Sequence, residues 1–349
     1  MARGKMKTAV MTDIGAIGWE ERVIPVPSDG EALIKLEYVG ICGSDLHYFE
    51  TGAIGAYKVK PPFVLGHEAG GVVAEIGKGV THLKIGDRVA LEPGKTCGNC
   101  VFCKTGRYNL CPDVIFFATP PVDGVFCEYV AHEAGLCFKL PDSVDTMEGA
   151  LIEPLAVGIH AARQGGAQAG QTAVVTGAGC IGLMSMMALK AFGVSRVIVT
   201  DILQKRLDRA SELGADEIIN AREADVVDAV TRMTDGYGCD LCVETAGTEI
   251  TTRQAIRMAC KGATIVLVGY STTGEMTLPL SVALDKELTF KTVFRYRGIY
   301  PMAIKMVETG KVNLKGIVSD AFDFEKLQDA LTASVSNKEN IVKAIVRMA

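Results

Sequence analysis

A glycine-rich turn between an apolar strand and a helix-compatible run constrains this chain more than any other feature. Gly177, Gly179 and Gly182 form a G-x-G-x-x-G pattern directly after the strand-like residues 172–176. The first glycine permits a sharp turn, the second lets backbone approach a ligand, and the third lets the helix pack closely on the strand. The N-terminus of that helix offers free N–H groups and the positive end of a dipole. This context predicts a loop that binds the pyrophosphate of a dinucleotide, and not merely a structural turn.

Asp201 stands at the end of the next predicted strand. A carboxylate there can accept hydrogen bonds from both ribose hydroxyls of NAD, and it repels the 2′-phosphate of NADP. Arg206 favours NADP instead, because a guanidinium near that carboxylate could accommodate the 2′-phosphate. The sequence predicts NAD as the cofactor.

Apolar strands and amphipathic segments alternate from Thr172 to Gly269. Strands are predicted at residues 172–176, 196–201, 217–220, 241–245 and 264–269, and helices at residues 203–213 and 226–233. This alternation is typical of βαβ units, so we predict an α/β fold with a Rossmann-type, doubly wound parallel sheet.

The first 150 residues have a different pattern of short, valine-rich runs bounded by glycine, proline and aspartate. The runs are residues 33–38, 71–76, 88–91 and 125–130, and they predict a mostly antiparallel β domain. An apolar helix at 150–162 is expected to connect the two domains. A strand-like run at 287–296 precedes a final stretch that is too short for a core of its own. We expect that stretch to pack on the first domain.

Four cysteines follow the spacing C-x2-C-x2-C-x7-C at Cys97, Cys100, Cys103 and Cys111. Four thiolates around one Zn²⁺ are typical of a closed structural site. An iron–sulfur cluster is the first alternative, but the ferredoxin run has three residues before its fourth cysteine where this chain has seven. A pair of disulfides is the second, and it needs an oxidising compartment. The spacing predicts structural zinc.

The cysteine count, the net charge and the length of the apolar runs exclude several classes of protein. The chain has 11 cysteines and no apolar leader, which indicates a reduced, cytoplasmic protein. The net charge is −5 and basic residues do not cluster, so we predict no nucleic-acid partner. Every apolar run is shorter than a membrane span needs, so we predict no membrane partner. Cys239 and Cys242 lie three apart on a predicted strand and so face opposite sides. We predict core packing for Cys127, Cys137, Cys180, Cys239, Cys242 and Cys260.

A second set of possible metal ligands is dispersed along the chain. Cys42, Ser44 and His47 lie close together, and His67 is followed by Glu68. Glu153 stands on the apolar helix, where a carboxylate needs a compensating partner. Each residue alone could be a cap or a solvated charge. For the three other histidines, His82, His132 and His160, we predict structural roles.

The run Gly66-His67-Glu68-Ala69-Gly70-Gly71, followed by Gly77, Val80, Gly86 and Asp87, resembles the signature of zinc-dependent medium-chain alcohol dehydrogenases. The four-cysteine lobe and the glycine loop follow in that family's order, so the resemblance covers nearly the whole chain. It implies a GroES-like, mostly-β catalytic domain at 1–152 with a zinc lobe at 93–113. It further implies a Rossmann domain at 153–290 and a return to the catalytic domain at 291–349.

Within the family, the chain is most similar to the polyol branch, the sorbitol (L-iditol) and xylitol dehydrogenases. The supporting stretches are His47-Tyr48, residues 106–110, residues 116–121, residues 151–155 and residues 293–296. The resemblance implies transfer of hydride from C2 of sorbitol, xylitol or L-iditol to NAD⁺, which gives the ketose. Alternatives are L-threonine, butanediol or another secondary alcohol as substrate, and a catalytically silent dinucleotide-binding protein.

The resemblance also implies roles for individual residues. Cys42, His67 and Glu68 would hold a catalytic zinc, and Glu153 would hold its water or take a ligand place; which glutamate is the inner ligand stays open. Ser44 and His47 match the family's proton relay, with Glu153 as a further catalytic residue. Tyr48, Phe117, Glu153, Arg295 and Tyr296 would contact the polyol. The cofactor would contact Gly177, Gly179, Ile181, Gly182, Asp201, Arg206, Val268, Gly269, Val293, Phe294 and Arg295. The family further implies two zinc ions per chain and a homotetramer.

Overall fold

The computed structural model describes residues 4–271 and 274–348, and the chain divides into two compact units. The first unit comprises Met1–Glu153, Tyr300–Glu308 and Val318–Ala349, and the second comprises Pro154–Ile299 and Thr309–Ile317. Among the described residues, no helix combines the length and apolarity needed to cross a bilayer.

The first unit is built mainly from strands. They are β1 Lys5–Asp13, β2 Ala16–Val23, β3 Glu31–Gly40, β4 Ala53–Ile54, β5 Tyr57–Lys58, β6 Glu68–Ile76, β7 Arg88–Leu91, β8 Gly94–Lys95, β9 Ile115–Phe116, β10 Tyr129–Glu133, β11 Cys137–Lys139, β18 Asp320–Asp323 and β19 Ala344–Arg347. Its helices are α1 Gly43–Thr51, α2 Val101–Lys104, α9 Tyr300–Glu308 and α10 Leu327–Ser336, and α3 Thr146–Gly165 begins in this unit and ends in the second. The predicted helix 150–162 lies inside α3.

A seven-stranded sheet carries the first unit, in the order β11-β7-β6-β3-β19-β18, with β10 also paired to β3. All its pairings are antiparallel except that of β18 with β19, as the short N-terminal runs predict. The C-terminal strand β19 pairs with β3. The long strand β3 therefore lies at the centre of the sheet, and the functional groups described below stand at its end.

The prediction of a strand at 125–130 is wrong for most of its length, because β10 begins only at Tyr129. Val125 and Phe126 are fully buried, which explains their apolar character. They belong to an irregular segment whose N–H groups donate to the carbonyl of Leu65 at 3.0 Å each. Burial accounts for the apolar pattern here, and the strand-like pairing of the segment is limited to a bridge between Cys127 and Thr8.

The second unit contains the strands β12 Thr172–Thr176, β13 Arg196–Asp201, β14 Glu217–Asn220, β15 Cys239–Glu244, β16 Ala259–Leu267 and β17 Thr289–Thr292. Its helices are α4 Cys180–Ala191, α5 Gln204–Glu212, α6 Val226–Met233, α7 Glu249–Met258 and α8 Leu280–Asp285. All six strands pair in parallel, in the order β14-β13-β12-β15-β16-β17. This is the Rossmann strand order, so the predicted fold class is confirmed.

Two predictions in this unit need correction. The strand-like run 287–296 is a strand only at Thr289–Thr292, because the chain then leaves the sheet and Arg295 adopts a positive φ of 54°. Cys180 is only partly buried, at the first residue of α4, whereas Cys127, Cys137, Cys239, Cys242 and Cys260 are buried. The position of Cys180 follows from the glycine loop, which keeps the start of α4 near the surface.

Candidate metal centres and cofactor loop

The four predicted thiols meet in one compact lobe. The Sγ atoms of Cys97 and Cys103 lie 4.0 Å apart, those of Cys100 and Cys103 3.5 Å apart, and those of Cys97 and Cys111 3.5 Å apart. Sulfurs placed tetrahedrally around one Zn²⁺ at about 2.3 Å are about 3.8 Å apart. A disulfide needs about 2.05 Å, and all eleven cysteines are free. The lobe therefore fits a single tetrahedral ion.

Local backbone holds the lobe in shape. The N–H of Cys100 donates to Cys97 Sγ at 3.4 Å, and the N–H of Cys103 donates to Cys100 Sγ at 3.5 Å. N–H groups of Asn99 and Cys100 lower the pKa of the Cys97 thiol to about 7. Donors aimed at sulfur favour the thiolate, which is the form that binds a metal.

Buried side chains attach the lobe to the sheet of the first unit. The hydroxyl of Tyr108 donates to Glu92 Oε1 at 2.7 Å, and Glu92 is 4% exposed. Burial raises the pKa of Glu92, against the effect of the Tyr108 hydrogen bond. The carbonyl of Glu92 lies 2.8 Å from His132 Nε2, and His82 Nε2 lies 2.9 Å from the carbonyl of Ala134. His132 and His82 thus have structural partners.

A second cluster forms where the sheet meets α1. Cys42, His67 and Glu68 each present one donor atom, and the three atoms lie within 4.8 Å of one another. Cys42 is the residue before α1 and Glu68 is the first residue of β6. Three protein ligands of mixed sulfur, nitrogen and oxygen type, with a place left over, are what catalytic zinc uses. The donor set fits such an ion.

Asp45 joins the two chain segments that carry these donors. Its Oδ2 accepts the N–H of Cys42 at 3.0 Å, and its Oδ1 accepts the N–H of Gly66 at 2.9 Å. Burial alone would lower the pKa of His67, but the negative charges of Cys42, Asp45 and Glu153 raise it well above its usual value. The carboxylates of Asp45 and Glu153 thus place negative charge close to the His67 ring.

The carboxylate of Glu68 has a buried cationic partner that the sequence did not reveal. Lys343, just before β19, forms an ion pair with Glu68 Oε2 and donates to the carbonyl of Ile41 at 2.9 Å. The two side chains are 2% and 1% exposed. Gly40 makes room for them, since a Cβ there would lie 2.0 Å from Glu68 Oε2. Glycine, lysine and glutamate come from three separate parts of the chain.

The two candidate glutamates differ in position. Glu68 belongs to the three-donor cluster, whereas in the described part of the chain Glu153 is not among its members. Glu153 is 5% exposed on α3, and its charge acts on His67. The geometry favours Glu68 as the protein ligand.

The other predicted site residues of the first unit lie on α1, shortly after Cys42, and directly after β9. Ser44 is half-buried, His47 exposed and Tyr48 buried, all on α1. Phe116 faces the ring of His67, with 5.8 Å between centroids, whereas the ring of Phe117 packs on His132 at 4.7 Å. Phe116 is therefore the phenylalanine that contacts the cluster.

The glycine loop of the second unit fits the pyrophosphate of a dinucleotide. Gly177 has a φ of +93°, and a Cβ on Gly182 would lie 1.8 Å from the carbonyl of Gly177. The nearest atom to a Cβ on Gly179 is Arg206 Nη1 at 3.8 Å, so the face of Gly179 is open to a ligand. Asp201 Oδ2 accepts the N–H of Ala178 at 2.7 Å, which brings this carboxylate to the loop.

The remaining predicted cofactor residues lie in the same unit. Ile181, Val268, Gly269 and Val293 are half-buried, and Phe294 is exposed. The guanidinium of Arg295 lies over the ring of Phe294, 4.9 Å from its centroid, and Tyr296 is buried. His160 is also buried here, and burial with the charges of Arg297 and Arg163 lowers its pKa to about 4.

Comparison with known proteins finds the same family in both units of the chain. The profile of the alcohol dehydrogenase GroES-like domain matches residues 28–142, and that of zinc-binding dehydrogenases matches residues 180–309. The chain is 43% identical to the sorbitol dehydrogenase of Bacillus subtilis over 98% of this chain and 97% of that one. It is 44% identical to the sorbitol dehydrogenase of Macaca fascicularis, over 94% of this chain and 92% of that one.

Solved structures with the same architecture have different ligands and substrates. An Escherichia coli oxidoreductase/dehydrogenase of unknown specificity matches with a TM-score of 0.95 at 40% identity over 99% of each chain. An E. coli CFT073 alcohol dehydrogenase complexed with NADH matches at 0.91 and 30% identity over 98% of this chain and 99% of that one. A Sinorhizobium meliloti zinc-binding dehydrogenase structure bound to NADP matches with a TM-score of 0.90 at 30% identity, over 99% of this chain and 100% of that one. The 2R,3R-butanediol dehydrogenase of B. subtilis matches with a TM-score of 0.90 at 32% identity, over 98% of this chain and 99% of that one.

Proposed function

This chain belongs to the zinc-binding medium-chain alcohol dehydrogenases, and on that premise we propose that it is a polyol 2-dehydrogenase. The proposed reaction transfers hydride from C2 of sorbitol, xylitol or L-iditol to NAD⁺ and gives the ketose. The observation that carries the proposal is the cluster of the partly buried Cys42 with the buried His67 and Glu68, in a chain that is 43% identical to a sorbitol dehydrogenase over nearly its whole length.

Cys42, His67 and Glu68 would hold the catalytic zinc, which supplies Lewis acidity that makes a substrate hydroxyl easier to deprotonate. Ser44 and His47 are three residues apart on α1 and so share one face of it. Ser44 is half-buried and His47 is exposed. This gradient of exposure suits a relay that moves the hydroxyl proton to solvent.

Several polar side chains favour a substrate with many hydroxyls. Glu153 is a buried carboxylate, and Tyr48 is buried on α1. A site that hydrogen-bonds the hydroxyls of its substrate discriminates strongly against analogues that lack them. In the second unit, Arg295 and Tyr296 are proposed to contact the polyol, by resemblance to the polyol branch. Phe117 is proposed to shape the pocket, also by resemblance.

We propose NAD as the preferred cofactor because of Asp201. Its carboxylate stands at the end of β13 beside the glycine loop, where it would accept from ribose hydroxyls and repel a 2′-phosphate. Arg206 lies near Gly179 and would contact the phosphates. The cofactor residues in this proposal are Gly177, Gly179, Ile181, Gly182, Asp201, Arg206, Val268, Gly269, Val293, Phe294 and Arg295.

We further propose two zinc ions per chain, with the second in the lobe of Cys97, Cys100, Cys103 and Cys111. The spacing of their sulfurs supports that proposal, since it suits one tetrahedral ion. The free cysteines favour a reducing compartment, so we propose the cytoplasm as the location.

A homo-oligomer, in the family's case a tetramer, is also proposed. Strand β17 is the last strand of its sheet, and all four of its residues are exposed. An exposed sheet edge favours pairing with another chain. Light scattering of the purified protein measures the subunit number, and a monomer would contradict this part of the proposal.

The second candidate activity is oxidation of a simpler secondary alcohol, favoured by the similarity to a butanediol dehydrogenase structure. A panel of substrates with NAD⁺ at pH 8–9 separates the two activities. It would include sorbitol, xylitol, L-iditol, galactitol, L-threonine, 2,3-butanediol and ethanol. We expect a polyol to have the highest kcat/KM, with ethanol lower by about 10⁴. Arg295→Ala should reduce polyol turnover far more than turnover of short alcohols. Threonine or ethanol as the best substrate by a wide margin would contradict the polyol proposal.

A further inference from the structure

We propose that Glu244 and Thr245, at the end of β15, are positioning residues for the dinucleotide: they brace the glycine loop and the neighbouring loops in the shape that binds it. This inference rests on the proposed function, because it concerns the affinity for the proposed cofactor. The two residues stand where β15 lies beside β12. That is the point at which the strand order reverses, and dinucleotides bind at this point of a Rossmann sheet.

The carboxylate of Glu244 is buried and surrounded by donors. It is 1% exposed, and its Oε1 accepts the N–H groups of Ala246 at 2.9 Å and Gly247 at 3.0 Å. The hydroxyl of Thr251 donates to the same oxygen at 2.8 Å, and Oε2 lies 3.2 Å from the N–H of Gly247. One side chain therefore fixes the turn after β15 and the first residues of α7.

Thr245 fixes the glycine loop itself. Its hydroxyl lies 2.8 Å from the carbonyl of Thr176 and 3.1 Å from that of Gly177, and it can donate to either. A Cβ on Gly177 would lie 3.0 Å from this hydroxyl oxygen, and a Cβ on Gly182 2.9 Å from it. Two glycines of the loop thus leave the space that the threonine occupies.

Glu244 also holds the end of the next strand, β16. The backbone carbonyl of Glu244 accepts the N–H groups of Val268 at 2.8 Å and Gly269 at 3.0 Å. A Cβ on Gly269 would lie 2.1 Å from the nitrogen of Gly247 and 2.9 Å from Glu244 Oε2. The turn after β15 and the loop after β16 are therefore packed around the Glu244 carboxylate, and the glycine loop is packed around the neighbouring Thr245 hydroxyl.

Burial of Glu244 means that it acts on the cofactor through these loops and not by direct contact. Loops that are already ordered lose little conformational freedom when a ligand binds, so the brace increases affinity. Glutamine in place of Glu244 keeps one oxygen for the donors around Oε1 but puts an amide NH2 group against the N–H of Gly247 that Oε2 now accepts, so the turn would have to shift. Valine in place of Thr245 keeps the volume and removes the hydroxyl.

The test is NADH binding to the purified, zinc-loaded protein, followed by fluorescence. We expect Glu244→Gln to raise the Kd for NADH about tenfold and Thr245→Val about fivefold, as in loss of preorganisation. KM for NAD⁺ should rise with them, while KM for the polyol at saturating NAD⁺ should stay within about twofold. Thr245→Ser keeps the hydroxyl and should restore the wild-type Kd.

Glu217→Gln is the matched control. Glu217 lies on β14 of the same sheet and pairs with Arg196, so this change should lower the melting temperature without changing the Kd. If Glu244→Gln and Thr245→Val bind NADH as tightly as the wild type, the pair is structural only and the inference is wrong. If Glu244→Gln does not fold, Thr245→Val and Thr245→Ser decide alone. Failure of the wild type to bind NADH at all would instead overturn the proposed function, and the brace with it.

Discussion

The two candidate metal centres of the first unit are assembled in opposite ways. The four-cysteine lobe takes its ligands from one short stretch, and local backbone N–H groups point at the sulfurs. The cluster of Cys42, His67 and Glu68 takes its donors from two distant segments, which Asp45 joins. Lys343, from near the C-terminus, completes it. The lobe is a local structure, whereas the cluster depends on the pairing of β3 with β6 and β19, which brings its separate segments together.

This difference is what we expect of a stabilising ion in the lobe and a reactive ion in the cluster. A lobe closed by four thiolates leaves no position for a substrate. The cluster offers three donors of different chemistry, close to the carboxylates of Asp45 and Glu153. Changes to the first should therefore affect stability, and changes to the second should affect chemistry.

The largest effect is expected for Cys42→Ser. Serine would weaken the binding of the catalytic ion, so turnover of sorbitol with NAD⁺ should fall by about 10⁴. The melting temperature should change little, since Cys42 is only partly buried. Steady-state kinetics and thermal unfolding measure the two quantities. Substantial activity in this variant would remove Cys42 from the proposed site.

Cys100→Ser should have the opposite profile. Loss of the structural ion should cost roughly 3–5 kcal/mol in the free energy of unfolding, because its binding energy contributes to folding. The matched control is Cys137→Ser, the same change at a buried cysteine outside the lobe, which should keep all its zinc. If Cys100→Ser retains both zinc and stability, the lobe is not a metal site.

The two centres also differ in how far the sequence alone predicts them. The spacing of Cys97, Cys100, Cys103 and Cys111 contains the whole lobe, because its geometry is local. For the dispersed cluster, the residue types marked Cys42, His67 and Glu68 as possible ligands, but only the resemblance to a family assigned them to one site. Asp45 and Lys343 escaped notice because a single charged residue carries no pattern until the fold brings its partners to it. In the Rossmann unit, alternation and the glycine loop predicted β12, β13 and β14 with their observed bounds.

Lys343→Met should reveal how much the buried cluster depends on long-range partners. Removing the ammonium leaves the Glu68 carboxylate buried without its partner, which should cost about 3 kcal/mol in the free energy of unfolding. The double variant Lys343→Met with Glu68→Gln removes both charges and should recover much of that loss. Denaturant unfolding measures all three proteins. Equal stability of Lys343→Met and the wild type would mean that the ion pair contributes nothing.

The smallest effect is expected at the cofactor loop, which combines a local motif with one carboxylate from the next strand. Asp201→Ser should raise the Kd for NAD⁺ about tenfold and lower that for NADP⁺, because the carboxylate both binds ribose and repels phosphate. Titrations with the two cofactors measure the change. A wild type that already prefers NADP⁺ would contradict the role given to Asp201.

Stepwise removal of zinc tests the contrast between the two centres most directly. A chelator should first extract one zinc per chain, from the three-donor site, since four thiolates hold the other ion more tightly. We expect sorbitol oxidation to disappear with that first ion while circular dichroism and the melting temperature hold, and to return when zinc is added back. Activity that survives loss of the first zinc, or unfolding that accompanies it, would contradict the division into one catalytic and one structural ion.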